Sequence, residues 1–227
     1  MIDLRLVSLG ALAANPIWDE KTPVRTGHAT TSLLRTPDRT LLIDPGLPAQ
    51  ALVPRLRERA NLAPSDVSHV FLTSFSIDTF RGIEAFTGAT WWISDAEREA
   101  VGVPLALRVR DGAPAQEQEF LEHALAVLHR CKPAPDTLLS SKGERADLFP
   151  LHGVTPGLCG VLLAGQRHTT LVCGDAIPTL DHLERGLILP DVHDLGAAKA
   201  SFAEAVEIAD FLVLGRDALV PNLTRRR

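Results

Sequence analysis

Hydrophobic and polar residues alternate at the start of the chain and then gather into short apolar runs. The alternation over residues 2–10, IDLRLVSLG, predicts a half-buried strand. Residues 31–46, TSLLRTPDRTLLIDPG, contain two apolar runs separated by a Pro-Asp pair at 37–38. Because this pair favours a turn, the segment predicts a β-hairpin. The second run stops at residues 45–46, a Pro-Gly pair that breaks regular structure.

Helical and strand-like patterns then follow one another to the end of the chain. Residues 115–131 place apolar side chains at the spacing of an amphipathic helix. Residues 132–146 are rich in proline, serine and charge, and predict a flexible crossing. Asp95 is expected to cap a helix over residues 96–102. Further helices are predicted over residues 48–60, 81–88 and 201–210, and further strands over residues 69–75, 89–95, 147–153, 159–165, 169–175 and 211–215.

The order of these elements divides the chain into two similar halves. Each half has several strands, then a helix, then one more strand that ends in a polar loop. Two sheets packed face to face, with helices on the outer faces, would bury all of the apolar surfaces. The pattern therefore predicts an α+β fold with four layers, αββα, in a single domain over residues 1–227.

Composition narrows the classes of partner. The chain has 227 residues, of which 45% are hydrophobic and 22% charged, and its net charge of −5 argues against a nucleic-acid partner. Its three cysteines form no C-x-x-C pair, which favours a reducing compartment. The N-terminal segment lacks a signal-peptide pattern, and no apolar run approaches the roughly 20 residues of a membrane helix. We therefore expect a cytoplasmic protein with no membrane partner.

Functional side chains are expected at five strand-to-loop junctions, since loops on a rigid scaffold carry function. The junctions are residues 43–46 (IDPG), 73–82 (TSFSIDTFRG), 154–158 (VTPGL), 173–177 (CGDAI) and 214–219 (LGRDAL). In their order and residue types, these junctions resemble the metallo-beta-lactamase superfamily. In that family an Asp-x-Gly turn precedes a His-x-His-x-Asp-His loop, a Thr-Pro-Gly-His turn, a Gly-Asp pair and a late Gly-His pair. The resemblance covers roughly residues 27–221 and implies the αββα sandwich of that family.

The resemblance also identifies the positions at which the family holds its metals, and every imidazole is missing there. Two serines and a threonine replace the three histidines of the first loop. Leucine replaces the histidine of the second turn, arginine replaces the late histidine, and only two carboxylates are retained. The former metal-loop positions are Ser74, Ser76, Asp78, Thr79, Leu158, Asp175 and Arg216.

Ligand chemistry argues against zinc at these positions. Zinc prefers nitrogen and sulfur donors, whereas hydroxyl groups stay protonated near neutral pH and leucine has no donor atom. Arg216 adds a permanent positive charge where a metal ion would lie. If Asp78 and Asp175 meet in the pocket, an arginine can pair with both through charge-assisted hydrogen bonds. We therefore hypothesise that Arg216 replaces the charge of the metal, and we expect no cofactor.

A reduced or displaced metal site is the alternative. Zinc would then be held by Asp78, Asp175, His152 and His193, and the protein would be a hydrolase of the ester, lactone or thioester type that the resemblance implies. Asp44, in the first turn, is expected to orient the loop residues from behind the site through backbone N–H groups. A plain turn residue before Pro-Gly is an equal interpretation of Asp44.

Three functions follow from these observations. The first is a pseudoenzyme that binds a small molecule or a partner protein, and the second is the hydrolase with a displaced metal site. The third is a structural subunit or dimerisation module. The first is favoured because imidazole is lost at three separate motifs. Both a small-molecule ligand and a homo-oligomer are compatible with the sequence.

Overall fold

Six strands form the first sheet of the computed structural model, in which residues 1–112 and 114–226 are described. In the order in which they lie side by side, they are β1 (Asp3–Ser8), β2 (Thr31–Arg35), β3 (Thr40–Ile43), β4 (His69–Leu72), β5 (Thr90–Ile93) and β6 (Lys132–Pro133). The first three strands are antiparallel, and β2 with β3 is the predicted hairpin. From β3 to β6 neighbouring strands run parallel.

Six further strands form the second sheet. They are β7 (Thr137–Ser141), β8 (Glu144–Pro150), β9 (Cys159–Ala164), β10 (Thr169–Val172), β11 (Phe211–Val213) and β12 (Leu219–Pro221). Their order across the sheet is β12-β11-β10-β9-β8-β7. Only the pair β10 and β11 is parallel among the strands described.

Helices cover the outer faces of both sheets. On β3, Leu41 and Ile43 face the second sheet and pack with Val161, whereas Leu42 faces outwards and packs with Leu52 of the first helix. A third apolar cluster joins the last helix to the outer face of the second sheet. The predicted four-layer α+β fold is therefore confirmed. The helices are α1 (Ala49–Ala60), α2 (Ile77–Phe80), α3 (Asp95–Asp111), α4 (Ala115–Arg130), α5 (Leu180–Arg185) and α6 (Leu195–Ile208).

One prediction for a loop is wrong. Residues 132–146 are not a flexible crossing, because they contain β6, β7 and the start of β8. The reason is burial: Leu138 and Leu139 lie in the core between the sheets. The short helical segment predicted over residues 81–88 is present as a 3₁₀ helix, Ile83–Phe86.

Two helices begin at residues other than those expected. Ser94, and not Asp95, caps α3, since the Ser94 Oγ accepts a hydrogen bond from the Glu97 N–H at 3.1 Å. Helix α6 begins at Leu195, because Asp194 caps it well before the predicted start. Within the ranges that the structure describes, no helix is long and apolar enough to cross a membrane.

Candidate functional site

Four strands bring the predicted junctions to one edge of the sandwich. Strands β3 and β4 are parallel in the first sheet, and β10 and β11 are parallel in the second, so each pair ends at the same edge of its sheet. The fifth junction, residues 154–158, leads into β9, where the Cys159 N–H donates to the carbonyl oxygen of Thr73 at 3.0 Å. The junctions that follow the parallel strands are residues 43–46, 73–82, 173–177 and 214–219.

Two motif glycines allow backbone segments to approach closely at this edge. A Cβ atom on Gly46 would lie 2.1 Å from the carbonyl oxygen of Asp78, and one on Gly215 would lie 2.2 Å from the carbonyl oxygen of Gly174. No side chain fits at these distances, so glycine is required at both positions. Gly46 thus lets the first turn pack against the Asp78 loop, and Gly215 lets the residue before Arg216 pack against the Asp175 loop.

Arg216 lies between the two retained carboxylates and is bonded to both. Its Nε and Nη2 donate to Oδ1 and Oδ2 of Asp175, each at 2.7 Å, and its Nη1 donates to Oδ2 of Asp78 at 2.7 Å. The side chain is only 6% exposed. Burial lowers the pKa of Arg216, but the charges and hydrogen bonds of Asp175 and Asp78 outweigh burial and raise the pKa overall. The guanidinium therefore stays charged.

A second arginine balances the charge of this cluster. Arg81 donates from Nη2 to Oδ1 of Asp78 at 3.0 Å, and from Nη1 to the carbonyl oxygens of Gly27 and Gly46 at 2.8 and 3.2 Å. Two guanidinium groups thus face two carboxylates, and the formal charge of the cluster is zero. A largely buried cluster is tolerated when its charges are paired and hydrogen-bonded in this way.

Asp44 lies behind the cluster and holds the start of the loop after β4. Its Oδ1 accepts the Thr73 N–H at 2.8 Å, and its Oδ2 accepts the Thr73 hydroxyl at 2.7 Å. The backbone of Asp44 is left-handed, with φ of 51°, a conformation that aspartate tolerates better than most residues. Burial raises the pKa of Asp44 to about 7, although the hydrogen bonds from Thr73 oppose the rise.

This raised pKa predicts that the folded protein loses stability as the pH rises. An ordinary aspartate has a pKa of 3.8, so between about pH 4 and pH 7 the folded protein holds a proton that the unfolded chain has lost. We expect the free energy of unfolding to fall by about 2 kcal/mol between about pH 5 and about pH 7.5. The Asp44→Asn variant, which still offers Thr73 an acceptor, should lack this fall. Urea denaturation of both proteins measures the effect, and equal pH slopes would contradict it.

The hydroxyl side chains of the first loop act on the loop itself. The Thr79 Oγ1 accepts the Ser76 N–H at 3.2 Å and donates to the carbonyl oxygen of Ser74 at 2.8 Å. The Ser76 Oγ is buried and has no partner among the residues described. Leu158 is fully buried in the apolar cluster beneath α6. Thr79 therefore stabilises the loop, and Leu158 fills the core.

These residues do not fit a zinc ion. Oxygens of Asp78 and Asp175 already accept N–H groups of a guanidinium, and no imidazole is present at the motif positions. Within the described ranges, no three His, Cys, Asp or Glu side chains form a group that could hold a metal. Of the alternative set, Asp78 and Asp175 both accept hydrogen bonds from Arg216. The Nδ1 of His152 lies 2.7 Å from the carbonyl oxygen of Pro156, and His193 is exposed.

Glu97 joins the first loop to the Thr-Pro-Gly turn. Its Oε1 accepts the Phe75 N–H at 2.9 Å, and its Oε2 accepts the Thr155 hydroxyl at 2.7 Å and the Gly157 N–H at 3.0 Å. The residue is fully buried. In the sequence, Glu97 lies in the first turn of α3, where a negative charge is favoured by the helix dipole. A signal for burial was present, since Glu97 lies four residues before Val101, which packs against the core.

A cleft of about 200 Å³ lies beside the cluster and is lined by Arg216. Trp18 and Arg25 contribute to it from the segment before β2, and Asp181 contributes from the start of α5. The Trp18 side chain is 59% exposed, and its Nε1 donates to Oδ2 of Asp181 at 2.8 Å. Open space therefore remains next to Arg216.

Comparison with known proteins gives a family and several relatives. The model of the metallo-beta-lactamase superfamily matches residues 24–213. A probable metallo-hydrolase of Mycobacterium tuberculosis and one of Mycobacterium bovis are each 32% identical over 123 residues, or 52% of this chain. The match spans 40% of the length of these curated relatives.

Solved structures share the fold. A probable metal-dependent hydrolase from Staphylococcus aureus has a TM-score of 0.67 at 13% identity, covering 97% of this chain and 92% of its own. AidC, a dizinc quorum-quenching lactonase in complex with a product, has a TM-score of 0.61 at 17% identity, covering 78% of this chain and 67% of its own. At these identities the likeness shows the fold alone.

Proposed function

Because this chain belongs to the metallo-beta-lactamase superfamily, yet carries a guanidinium between the carboxylates of its site, we propose that it is a member without the two-zinc centre. Its function is to bind a small molecule, and it does not hydrolyse one with metal-activated water. Two-metal hydrolysis requires both cations to be held about 3.5–4 Å apart by a complete ligand set. That ligand set is absent from the motif positions of this chain.

The contact between Arg216 and the two carboxylates carries this proposal. Both oxygens of Asp175 and one oxygen of Asp78 accept guanidinium N–H groups at 2.7 Å. A metal ion at the same place would lie against a fixed positive charge, and Coulomb repulsion between them would oppose binding. Arg216 thus supplies the positive charge that the carboxylates need.

The cleft beside Arg216 favours ligand binding over a purely structural role. In a purely structural module, side chains are expected to fill the space between the former metal-loop positions. Here Leu158 turns into the core and Phe75 stacks on Phe80, and a cleft of about 200 Å³ stays open beside Arg216. Ligand sites are concave and combine apolar walls with a few polar groups, as this cleft does.

Metal analysis tests the proposal. The purified chain is incubated with zinc, dialysed and examined by elemental mass spectrometry, with a dizinc lactonase treated in parallel as the positive control. We expect zinc far below one ion per chain, and no zinc-dependent hydrolysis of ester, lactone or thioester substrates. Stoichiometric zinc that survives dialysis would overturn the proposal, and so would zinc-dependent hydrolysis.

A further inference from the structure

Arg216 has hydrogen-bonding capacity that its two carboxylates do not use. A guanidinium carries five N–H groups, and three of them donate to Asp175 and Asp78. Within the described part of the chain, the other two have no acceptor, although the residue is only 7% exposed and lines the cleft. A largely buried charged donor of this kind favours an acceptor oxygen on whatever enters the cleft.

The same cleft carries negative charge that no cation balances. Asp181 accepts the Trp18 Nε1–H, and Asp217 accepts backbone N–H groups only. Neither carboxylate forms an ion pair with any residue that the structure describes. Arg25 also lines the cleft, but Glu20 already neutralises it through two hydrogen bonds. The charge left over is therefore negative.

The cleft sets the size and shape of a ligand. Its volume of about 200 Å³ equals that of about seven water molecules, at about 30 Å³ each. The guanidinium of Arg25 lies over the Trp18 ring, with Cζ 5.6 Å from the ring centroid, and the remaining exposed part of the ring offers an apolar wall. An aliphatic group of a few carbons can lie against this ring, since aromatic side chains bury large apolar areas.

We propose that this cleft binds a small primary amine that also carries a carboxylate or carbonyl oxygen, the chemistry of an amino acid. The ligand oxygen accepts hydrogen bonds from the two free N–H groups of Arg216, and the ammonium group forms an ion pair with Asp181. The apolar part of the ligand lies against Trp18. A simple anion would leave the negative charge of Asp181 unbalanced. A simple amine would leave the N–H groups of Arg216 without an acceptor.

This inference rests on the proposed function, because a metal between the carboxylates would displace Arg216. The two can nevertheless fail separately. If the chain holds no zinc but the amine does not bind, only the ligand class is wrong. If the chain binds one zinc ion or more, the proposed function is wrong, because Arg216 then does not occupy the place between the two carboxylates.

Titration calorimetry with three matched compounds tests the ligand class. L-leucine carries both groups, 4-methylpentanoate lacks the amine, and 3-methylbutylamine lacks the carboxylate. We expect saturable binding of L-leucine, with each analogue at least about tenfold weaker. Absence of L-leucine binding up to about 10 mM, a concentration near which only very weak complexes form, would overturn the proposal. So would equal affinity of either analogue.

A charge-removing variant tests the position of the amine. Asp181→Asn keeps an acceptor oxygen for the Trp18 Nε1–H, so the fold of the cleft should be retained. The variant should bind L-leucine about tenfold more weakly than wild type does, and it should bind 4-methylpentanoate no more weakly than wild type does. Asp191→Asn, at an exposed aspartate that does not line this cleft, is the matched control. Unchanged L-leucine affinity in Asp181→Asn would overturn the assignment.

Discussion

Replacing Arg216 with alanine is expected to lower the free energy of unfolding by about 3 kcal/mol. Removal of one partner from a buried ion pair costs about 3–5 kcal/mol, because the remaining charge is left uncompensated. The lower value applies since Asp78 keeps Arg81, and since the Asp78 and Asp175 side chains are 24% and 14% exposed. Urea denaturation near neutral pH measures the change.

Two further variants show whether the effect comes from the loss of an arginine in general, from the charge at position 216, or from the hydrogen-bond geometry of its guanidinium group. Arg55→Ala, at an exposed arginine of α1, should change the free energy of unfolding by less than about 0.5 kcal/mol. Arg216→Lys keeps the positive charge but cannot reproduce the paired N–H groups that donate to both oxygens of Asp175. Its free energy of unfolding should therefore lie between those of wild type and Arg216→Ala. An Arg216→Ala protein as stable as the Arg55→Ala control would contradict the buried cluster.

Replacing Glu97 with alanine is expected to be at least as damaging, at about 4 kcal/mol. Three donors, the Phe75 N–H, the Gly157 N–H and the Thr155 hydroxyl, would lose their acceptor in a fully buried place. Each buried donor left without a partner costs about 1–3 kcal/mol, and entry of water recovers part of this. Thermal and urea unfolding measure the loss of stability.

Hydrogen exchange shows whether Glu97 joins the two loops. In Glu97→Gln, which keeps the shape of the side chain, the amides of Phe75 and Gly157 should exchange faster while those of the central strands do not change. Glu99→Ala, at an exposed position of the same helix, is the control. Its Phe75 and Gly157 amides should exchange at the wild-type rate. Unchanged protection of Phe75 and Gly157 in Glu97→Gln would show that the loops are held by other contacts.

The fold could be predicted because its signals are local. The Pro-Asp turn between β2 and β3, the apolar runs of β4, β9 and β10, and the breaks that follow them all lie within a few residues of the elements that they define. Residues 132–146 were predicted wrongly because Leu138 and Leu139 gain their burial from the facing sheet, and local composition does not show that contact. The role of Glu97 is likewise not visible in local composition, because its partners Thr155 and Gly157 lie about 60 residues further along the chain.

The sequence by itself determined that no histidine stands in residues 73–82, 154–158, 173–177 or 214–219, since residue identity needs no coordinates. The tertiary structure decided which side chains meet where these loops come together. Arg216 meets Asp175 across 41 residues of chain and Asp78 across 138 residues, and the hydrogen-bond geometry of such pairs depends on how the two sheets pack. The raised pKa of Asp44 and the contacts of Glu97 likewise follow from burial, which only the folded chain creates.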